Sequence, residues 1–207
     1  MNAADQWRPV AARAASLLLR YPDTTTTEAL PLILDALPGL PDAVAGPLGA
    51  VAAHRAGTAI GTLRTQYVDQ FDFRRRACLH LTYYTCGDTR KRGEALADFA
   101  AVYKNAGLEI IDGELPDYLP AVLDLAAEHD SGWQLLRDNR IGLDLLTASL
   151  NKDGSVYRHA IDAVRAMLPP AAPADLAAAA RLAHTGPPAE QVGLQPFALT
   201  DLTGGRR

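Results

Sequence analysis

The sequence predicts an all-α protein that folds as a single compact domain. Its 207 residues include 38 Ala and 30 Leu, which favour helices, against 9 Val and 6 Ile, which favour strands. Apolar residues make up 48% of the chain and charged residues 21%, as in a protein with an ordinary hydrophobic core. A β-sandwich and a parallel α/β sheet are therefore disfavoured. The sequence contains no run of 18 apolar residues, so it predicts no membrane span.

The first predicted helices lie between proline-containing turns. Residues 8–20 carry one apolar face and stop at Tyr21-Pro22, because proline disfavours helical geometry in the residue before it. A shorter helix over 27–37 is predicted to end at the proline and glycine cluster of 38–41. Residues 47–71 are predicted to form one longer helix, since apolar residues in its second half recur at intervals of three and four.

Capping residues mark the predicted helices of the middle of the chain. Residues 74–84 are expected to be helical, although their apolar pattern is less regular. Asp88 is a suitable N-cap for the next helix, which ends before Gly107, a natural residue to follow a helix. After a connection, Asp117 is predicted to cap another helix with an apolar inner face.

The last predicted helices precede a tail. One helix runs from Ser131 to Leu150, and another runs from Ser155 to Leu168. A short Ala-rich helix is predicted over 174–183, which gives seven or eight helices in one domain over residues 1–183. Residues 184–207 are rich in Pro and Gly and lack periodicity, so we expect a flexible C-terminal tail there.

Several kinds of chemistry find no support in the sequence. The two cysteines, Cys78 and Cys86, cannot form a disulfide framework, and no secretory signal is recognised, so we expect a cytoplasmic protein. The spacing of Cys78, His80 and Cys86 matches no zinc pattern, and no phosphate-binding loop occurs. None of the five histidines lies in a recognisable catalytic setting. We therefore expect no metal, no cofactor and no enzymatic activity.

The formal charge of −4 conceals an asymmetry along the chain. Residues 74–92 contain six cationic residues, one Asp and two Tyr, for a local charge of +5, and the other residues sum to −9. Basic residues interleaved with aromatic ones can bind nucleic acid. They can equally hold carboxylates of a protein partner, and some can pair with acids of the same chain such as Asp69, Asp72 and Glu94.

The same window carries a resemblance to a known family. The string FD…R…LTYY…GDTRxRG within 67–93 resembles the NarJ-type nitrate reductase assembly chaperones, the nitrate reductase delta subunit family. Residues 112–123, 143–169 and 17–22 are also similar to that family. Members of the family often have His where this chain has Tyr118. The resemblance covers about residues 8–169.

The resemblance implies an all-helical chaperone that binds the apo catalytic subunit of respiratory nitrate reductase, including its N-terminal segment. Such a chaperone would hold the subunit competent for molybdenum cofactor insertion and membrane assembly, in possible contact with cofactor biosynthesis proteins, as a monomer or weak homodimer. The residues that we expect to contact the partner are Asp72, Arg75, Tyr83, Tyr84, Asp88, Arg90, Arg92, Glu114, Asp117, Tyr118 and Leu119.

Alternatives remain open for the function and for single residues. A helical regulator that binds nucleic acid through 74–92 is the alternative, although the charge of the other residues counts against it. A nucleotide-linked enzyme ranks last because no phosphate loop occurs. Helix capping also explains Asp117, and core packing explains Val122 and Leu123, whereas Tyr84, Tyr118 and Leu119 are expected to be partly exposed.

Overall fold

Helices account for every regular element in the described part of the chain. The computed structural model describes residues 5–110 and 113–188, except for the side chain of Arg75. The helices are α1 Arg8–Leu19, α2 Thr24–Glu28, α3 Leu30–Ala36, α4 Asp42–Gly57, α5 Ile60–Tyr67, α6 Tyr83–Cys86, α7 Arg90–Asn105, α8 Leu119–Glu128, α9 Asp130–Asp138, α10 Arg140–Lys152, α11 Arg158–Ala166 and α12 Pro173–Thr185. The predicted all-α class is confirmed.

One hydrophobic core holds these helices together. α1 packs along α8 and α4 packs along α11. The leucines of α1, α4 and α8 that are fully removed from water are Leu18, Leu19, Leu48, Leu119 and Leu123. Burying a leucine side chain contributes about 1.5–3 kcal/mol, so the contacts between these helices make a large contribution to the free energy of unfolding. Two buried polar groups connect the layers: Ser16 donates to the carbonyl of Pro120 at 2.9 Å, and Arg55 donates to the carbonyl of Leu17 at 2.8 Å.

Several predicted helices are divided in the structure. The predicted helix over 47–71 is wrong as a single element, because the chain is extended at Thr58 and Ala59 between α4 and α5 and then forms a π-helical turn over Val68–Asp72. The predicted helix from Ser131 to Leu150 is likewise interrupted at Asn139. The apolar pattern continues across both breaks, and therefore periodicity alone does not reveal them.

The predicted helix over 74–84 is the largest error. The chain instead forms a 3-10 turn over Arg75–Ala77, a non-helical stretch and the four-residue helix α6. His80 lies opposite Tyr118 in an antiparallel bridge. A contact across almost forty residues of sequence thus replaces local helix formation.

The first and last predicted helices agree with the structure, whereas most of the predicted tail is not described. α1 and α12 lie where the sequence predicts them, and Gly107, at a φ of 72°, follows α7 as expected. α12 continues to Thr185, and residues 189–207 of the predicted tail lie outside the described residues, so the domain boundary at 183 stays a prediction. None of the described helices is long and apolar enough to cross a bilayer.

Candidate functional site

The two strongest sequence motifs meet at one junction in the fold. The backbone N–H of Leu81 donates to the carbonyl of Asp117 at 3.0 Å, and that of Leu119 donates to the carbonyl of Leu79 at 2.8 Å. α10 passes close behind this junction, since a Cβ on Gly142 would lie 3.1 Å from the carbonyl oxygen of Leu81. The motif over 112–123 is therefore anchored to the motif over 67–93 by backbone geometry.

Asp117 is the buried centre of this junction. Its side chain is fully buried, and its carboxylate accepts hydrogen bonds from the backbone N–H and the hydroxyl of Thr82. The other carboxylate oxygen lies 3.1 Å from Nδ1 of His80. A guanidinium nitrogen of Arg92 lies 3.9 Å from the oxygen that Thr82 contacts. Burial raises the pKa of Asp117, but the contacts with His80 and Thr82 outweigh it, so the pKa lies below its usual value.

The predicted cap at Asp117 is wrong. Tyr118 is the N-cap of α8, and the Asp117 side chain bonds to Thr82 instead of the first turn of that helix. Because its carboxylate is enclosed, Asp117 acts as a clamp that holds two segments of the chain together. We infer that it affects the binding of a partner only through the positions of these two segments.

Burial also separates the three residues expected to be partly exposed. Tyr84 is 3% exposed and Leu119 is fully buried, so the predicted exposure of these two is wrong. The hydroxyl of Tyr84 donates to the carbonyl of Cys78 at 2.8 Å, which fixes the ring inside the fold. Tyr118 is partly exposed as expected, and its hydroxyl lies 3.1 Å from that of Tyr67.

Asp72 lies before the 3-10 turn, and Tyr83, Asp88, Arg90 and Arg92 lie around the start of α7. Asp72 and Arg90 are exposed, and Tyr83 is partly exposed. Arg92 lies 3.3 Å from Asp88 and 6.0 Å from the centre of the Tyr83 ring. The side chain of Arg75 lies outside the described residues.

Internal ion pairs reduce the positive charge that residues 74–92 present. Arg74 lies 2.7 Å from Asp153, and Arg92 contacts the carboxylates of Asp88 and Asp117. Some arginines of this segment therefore pair with acids of the same chain, as predicted. The acids in these pairs differ from Asp69, Asp72 and Glu94, which the sequence suggested. The nucleic-acid hypothesis stays untested, and a titration of the protein with duplex DNA at increasing salt tests it, because phosphate contacts weaken steeply with salt.

A groove lies beside the junction, between the end of α7, residues 108–110, Glu114 and α8. We call it the acidic groove; its volume is about 280 Å³. Its apolar lining is Leu108, Ile110, Ala121 and Leu125 with the ring of Tyr103, and its carboxylates are Glu109, Glu114, Asp124 and Glu128. Of the predicted contact residues described here, Glu114 belongs to this groove.

Arg13 of α1 and Arg20, which directly follows α1, partly neutralise these carboxylates. Arg20 lies 2.8 Å from Asp124 and 3.4 Å from Glu114. Arg13 lies 2.7 Å from Asp124 and 2.6 Å from Glu128. All these side chains are partly exposed, so each pair contributes at most about 1 kcal/mol and can exchange with cations from outside. Two arginines facing four carboxylates leave the groove negative.

The hydroxyl of Tyr103 is an unusual feature of this groove. Tyr103 is 6% exposed, and its hydroxyl is buried with no hydrogen-bond partner in the part of the chain that the structure describes. Burial, followed by the negative charge of Asp124, raises the pKa of this phenol, so it keeps its proton. An unsatisfied buried hydroxyl usually costs about 1–3 kcal/mol, and it can donate to a ligand in the groove.

Sequence reasoning missed most of the charged residues of the acidic groove, although a signal was present. Asp124 and Glu128 are four residues apart and share one face of α8. Arg13 lies on α1, and Arg20 directly follows the last residue of that helix. The acidic face of α8 could have been paired with these arginines, but only the packing of α1 on α8 shows that they meet. Within the described residues no cluster of three metal-ligating side chains occurs.

Comparison with known proteins gives a consistent result. The family model described as the nitrate reductase delta subunit matches residues 23–162. The nitrate reductase-like protein NarX of Mycobacterium tuberculosis is 36% identical over 160 residues, which are 76% of this chain and 24% of NarX. The nitrate reductase molybdenum cofactor assembly chaperone NarJ of Escherichia coli K12 is 32% identical over 152 residues, which are 69% of this chain and 62% of NarJ. The chain therefore spans less than two thirds of the length of either relative.

A solved structure supports the fold. A protein from Archaeoglobus fulgidus, described as a candidate redox enzyme maturation protein, aligns with a TM-score of 0.57 over 77% of this chain and 90% of its own. The two sequences are 21% identical, so this likeness concerns the helical fold alone.

Proposed function

Because the chain belongs to the nitrate reductase delta subunit family, we propose that it is a dedicated cytoplasmic chaperone for the apo catalytic subunit of a respiratory nitrate reductase. It binds that subunit through a segment near its N-terminus and holds it competent for molybdenum cofactor insertion before membrane assembly. It performs no catalysis of its own. The names of the NarJ relatives support the assembly role.

The acidic groove is the observation that carries the proposed mode of binding. It combines an apolar lining, a surplus of carboxylates and the buried hydroxyl of Tyr103. Helical domains bind peptides when an amphipathic segment lays its apolar side chains into such a groove. The surplus of carboxylates selects a segment whose polar residues are Lys or Arg, since like charges facing one another would oppose binding.

The geometry also suggests how the groove opens to a cationic segment. Arg13 and Arg20 hold the carboxylates in the free protein through partly exposed ion pairs. A bound Lys or Arg replaces one such contact with another, so the carboxylates stay paired throughout. A groove of this kind binds with micromolar to nanomolar affinity, about −8 to −12 kcal/mol.

Isothermal titration calorimetry tests the proposal. The probes are a peptide copying the N-terminal segment of the catalytic subunit and the purified apo subunit. The variant Glu109→Lys reverses an exposed charge of the groove, and Glu28→Lys, an exposed glutamate at the end of α2, is the matched control. We expect Glu109→Lys to weaken peptide binding about tenfold, or by about 1.4 kcal/mol, and Glu28→Lys to leave it unchanged.

Two results would count against the proposal. If neither probe binds to the wild-type protein, the chaperone function is refuted. Binding that is equally strong in the Glu109→Lys variant removes the acidic groove from the site and leaves the function itself standing.

A further inference from the structure

The basic segment of the sequence contributes to a second groove, away from the acidic one. This groove lies between the turn at 74–77, α10 and the end of α12, and its volume is about 460 Å³. We call it the basic groove. Its lining includes Arg74, Arg76, Tyr84, Leu145, Lys152 and Leu182.

The charge of the basic groove is opposite to that of the acidic groove. Arg74, Arg76 and Lys152 line it, together with the single carboxylate of Asp153. Asp153 is already engaged, because Arg74 lies 2.7 Å away and Gln70 donates to it at 3.2 Å. Arg76 and Lys152 are both exposed. The groove therefore has positive charge to offer to an incoming carboxylate.

The walls of the basic groove are largely apolar. Leu145 of α10 and Leu182 of α12 line it with the ring of Tyr84, which is fixed by its hydrogen bonds to backbone carbonyls. Tyr and Arg, which both occur in this lining, are enriched among the residues that dominate the binding energy of protein interfaces.

One wall of the groove belongs to an element outside the hydrophobic core. α12 packs on α10 without a fully buried residue, and it lies beyond the part of the chain that matches the family model. The segment after α12 passes directly over Gly87, where a Cβ would collide with the carbonyl oxygen of Pro188. The core is therefore complete without this wall.

We propose that the basic groove is a second docking surface, which binds an acidic segment with apolar side chains from the same client protein. This inference rests on the proposed chaperone function. It gives the client a second contact, in which the charges are opposite to those in the acidic groove. Carboxylates of the client pair with Arg76 and Lys152, and its apolar side chains lie between Leu145 and Leu182. A protein segment fits better than nucleic acid, because apolar walls make no use of a phosphate backbone.

Two contacts of opposite charge give the client a fixed orientation on the chaperone. A segment with the wrong charge is repelled from either groove, and simultaneous binding of both segments raises the overall affinity through a high effective concentration. The intact apo subunit should therefore bind more tightly than its N-terminal peptide.

The test compares the intact apo catalytic subunit with its N-terminal peptide as probes. The double variant Arg76→Glu and Lys152→Glu reverses two exposed charges of the basic groove. Arg137→Glu, a partly exposed arginine on α9 that lines neither groove, is the control. Circular dichroism and thermal unfolding verify that every variant keeps its fold.

We expect the double variant to bind the apo subunit at least tenfold more weakly and to bind the peptide as the wild type does. Leu182→Gln, which removes an apolar contact while leaving every charge in place, should weaken subunit binding several-fold. The control should change neither affinity.

The outcomes separate this inference from the proposed function. If the wild-type protein binds neither probe, the chaperone function is refuted and the inference with it. If the wild type binds both probes and the double variant keeps full affinity for the subunit, the inference alone is overturned. Charge-dependent retention of duplex DNA, with subunit affinity unchanged, would assign the groove to nucleic acid and would likewise overturn it.

Discussion

Replacing Asp117 with Ala should destabilise the protein strongly. Asp117 is fully buried, and it accepts hydrogen bonds from the backbone N–H and the hydroxyl of Thr82, which is itself 2% exposed. Without the carboxylate these two donors stay buried with no acceptor in the junction. Each unsatisfied donor costs about 1–3 kcal/mol, so we expect the free energy of unfolding to fall by about 3–5 kcal/mol.

The loss is large compared with the total stability of a domain, which is about 5–15 kcal/mol. For a chain of this length it corresponds to a fall in Tm of about 6–20 °C. Urea unfolding at pH 7, followed by circular dichroism at 222 nm, measures the effect. Asp35→Ala, at an exposed position of α3, is the matched control and should change stability by less than about 0.5 kcal/mol.

The pH dependence of the same position gives an independent check. Burial raises the pKa of Asp117, but the hydrogen bonds from His80 and Thr82 lower it by a larger amount. The folded-state pKa therefore lies below the unfolded value of about 3.9. The carboxylate therefore stabilises the fold above that value, and its contribution is lost as the pH falls through the folded-state pKa. The difference in stability between the wild type and Asp117→Asn should shrink below about pH 4.

A loss of less than 1 kcal/mol in Asp117→Ala would refute the clamp. The carboxylate would then be dispensable for folding, and a direct contact with a partner, as the sequence alone suggested, would become the better explanation of the residue.

Three further changes probe the packing and the acidic groove. Gly132→Ala should lower the free energy of unfolding by about 3 kcal/mol in urea titrations, because the added Cβ would collide with the backbone nitrogen of Ala126; an unchanged midpoint would mean that α8 and α9 can separate freely. Tyr103→Phe should keep or slightly raise thermal stability, since its hydroxyl is unsatisfied among the described residues, yet should weaken peptide binding in calorimetry; equal affinity would show that the hydroxyl meets no ligand. Arg13→Ala should strengthen binding of a cationic peptide several-fold by releasing Glu128, and a weaker complex would show that Arg13 itself contacts the peptide.

The acidic groove and the basic groove depend on different kinds of information in the sequence. Residues 74–92 are conspicuous as a run, and the structure brings Arg74 and Arg76 to one groove while Arg92 turns towards Asp117. The acidic groove has no such run, since its carboxylates come from two segments and their arginine partners from α1 and the residue that follows it. A cluster assembled from separate helices is invisible to inspection of any one window.

The predicted helices show where local pattern suffices and where it fails. α1, α7 and α12 have regular apolar faces or strong helix formers bounded by proline or glycine, and the structure places them close to the predicted positions. Residues 74–84 have a comparable density of helix formers, but Leu79 and Leu81 bond to the segment around Asp117. Tertiary hydrogen bonds outweigh helix propensity there, because propensity differences amount to only a few tenths of a kcal/mol per residue.

The all-α class, most helix positions, the family and the charge asymmetry follow from the amino-acid sequence, because each depends on composition or on residues close together in the chain. The fold was needed to show that Asp117 is a buried clamp, that Tyr84 and Leu119 lie in the interior, and that four carboxylates surround an apolar groove. Burial and charge pairing depend on which residues are neighbours in space. Some of those neighbours are more than a hundred residues apart in the chain, as Arg13 and Asp124 are.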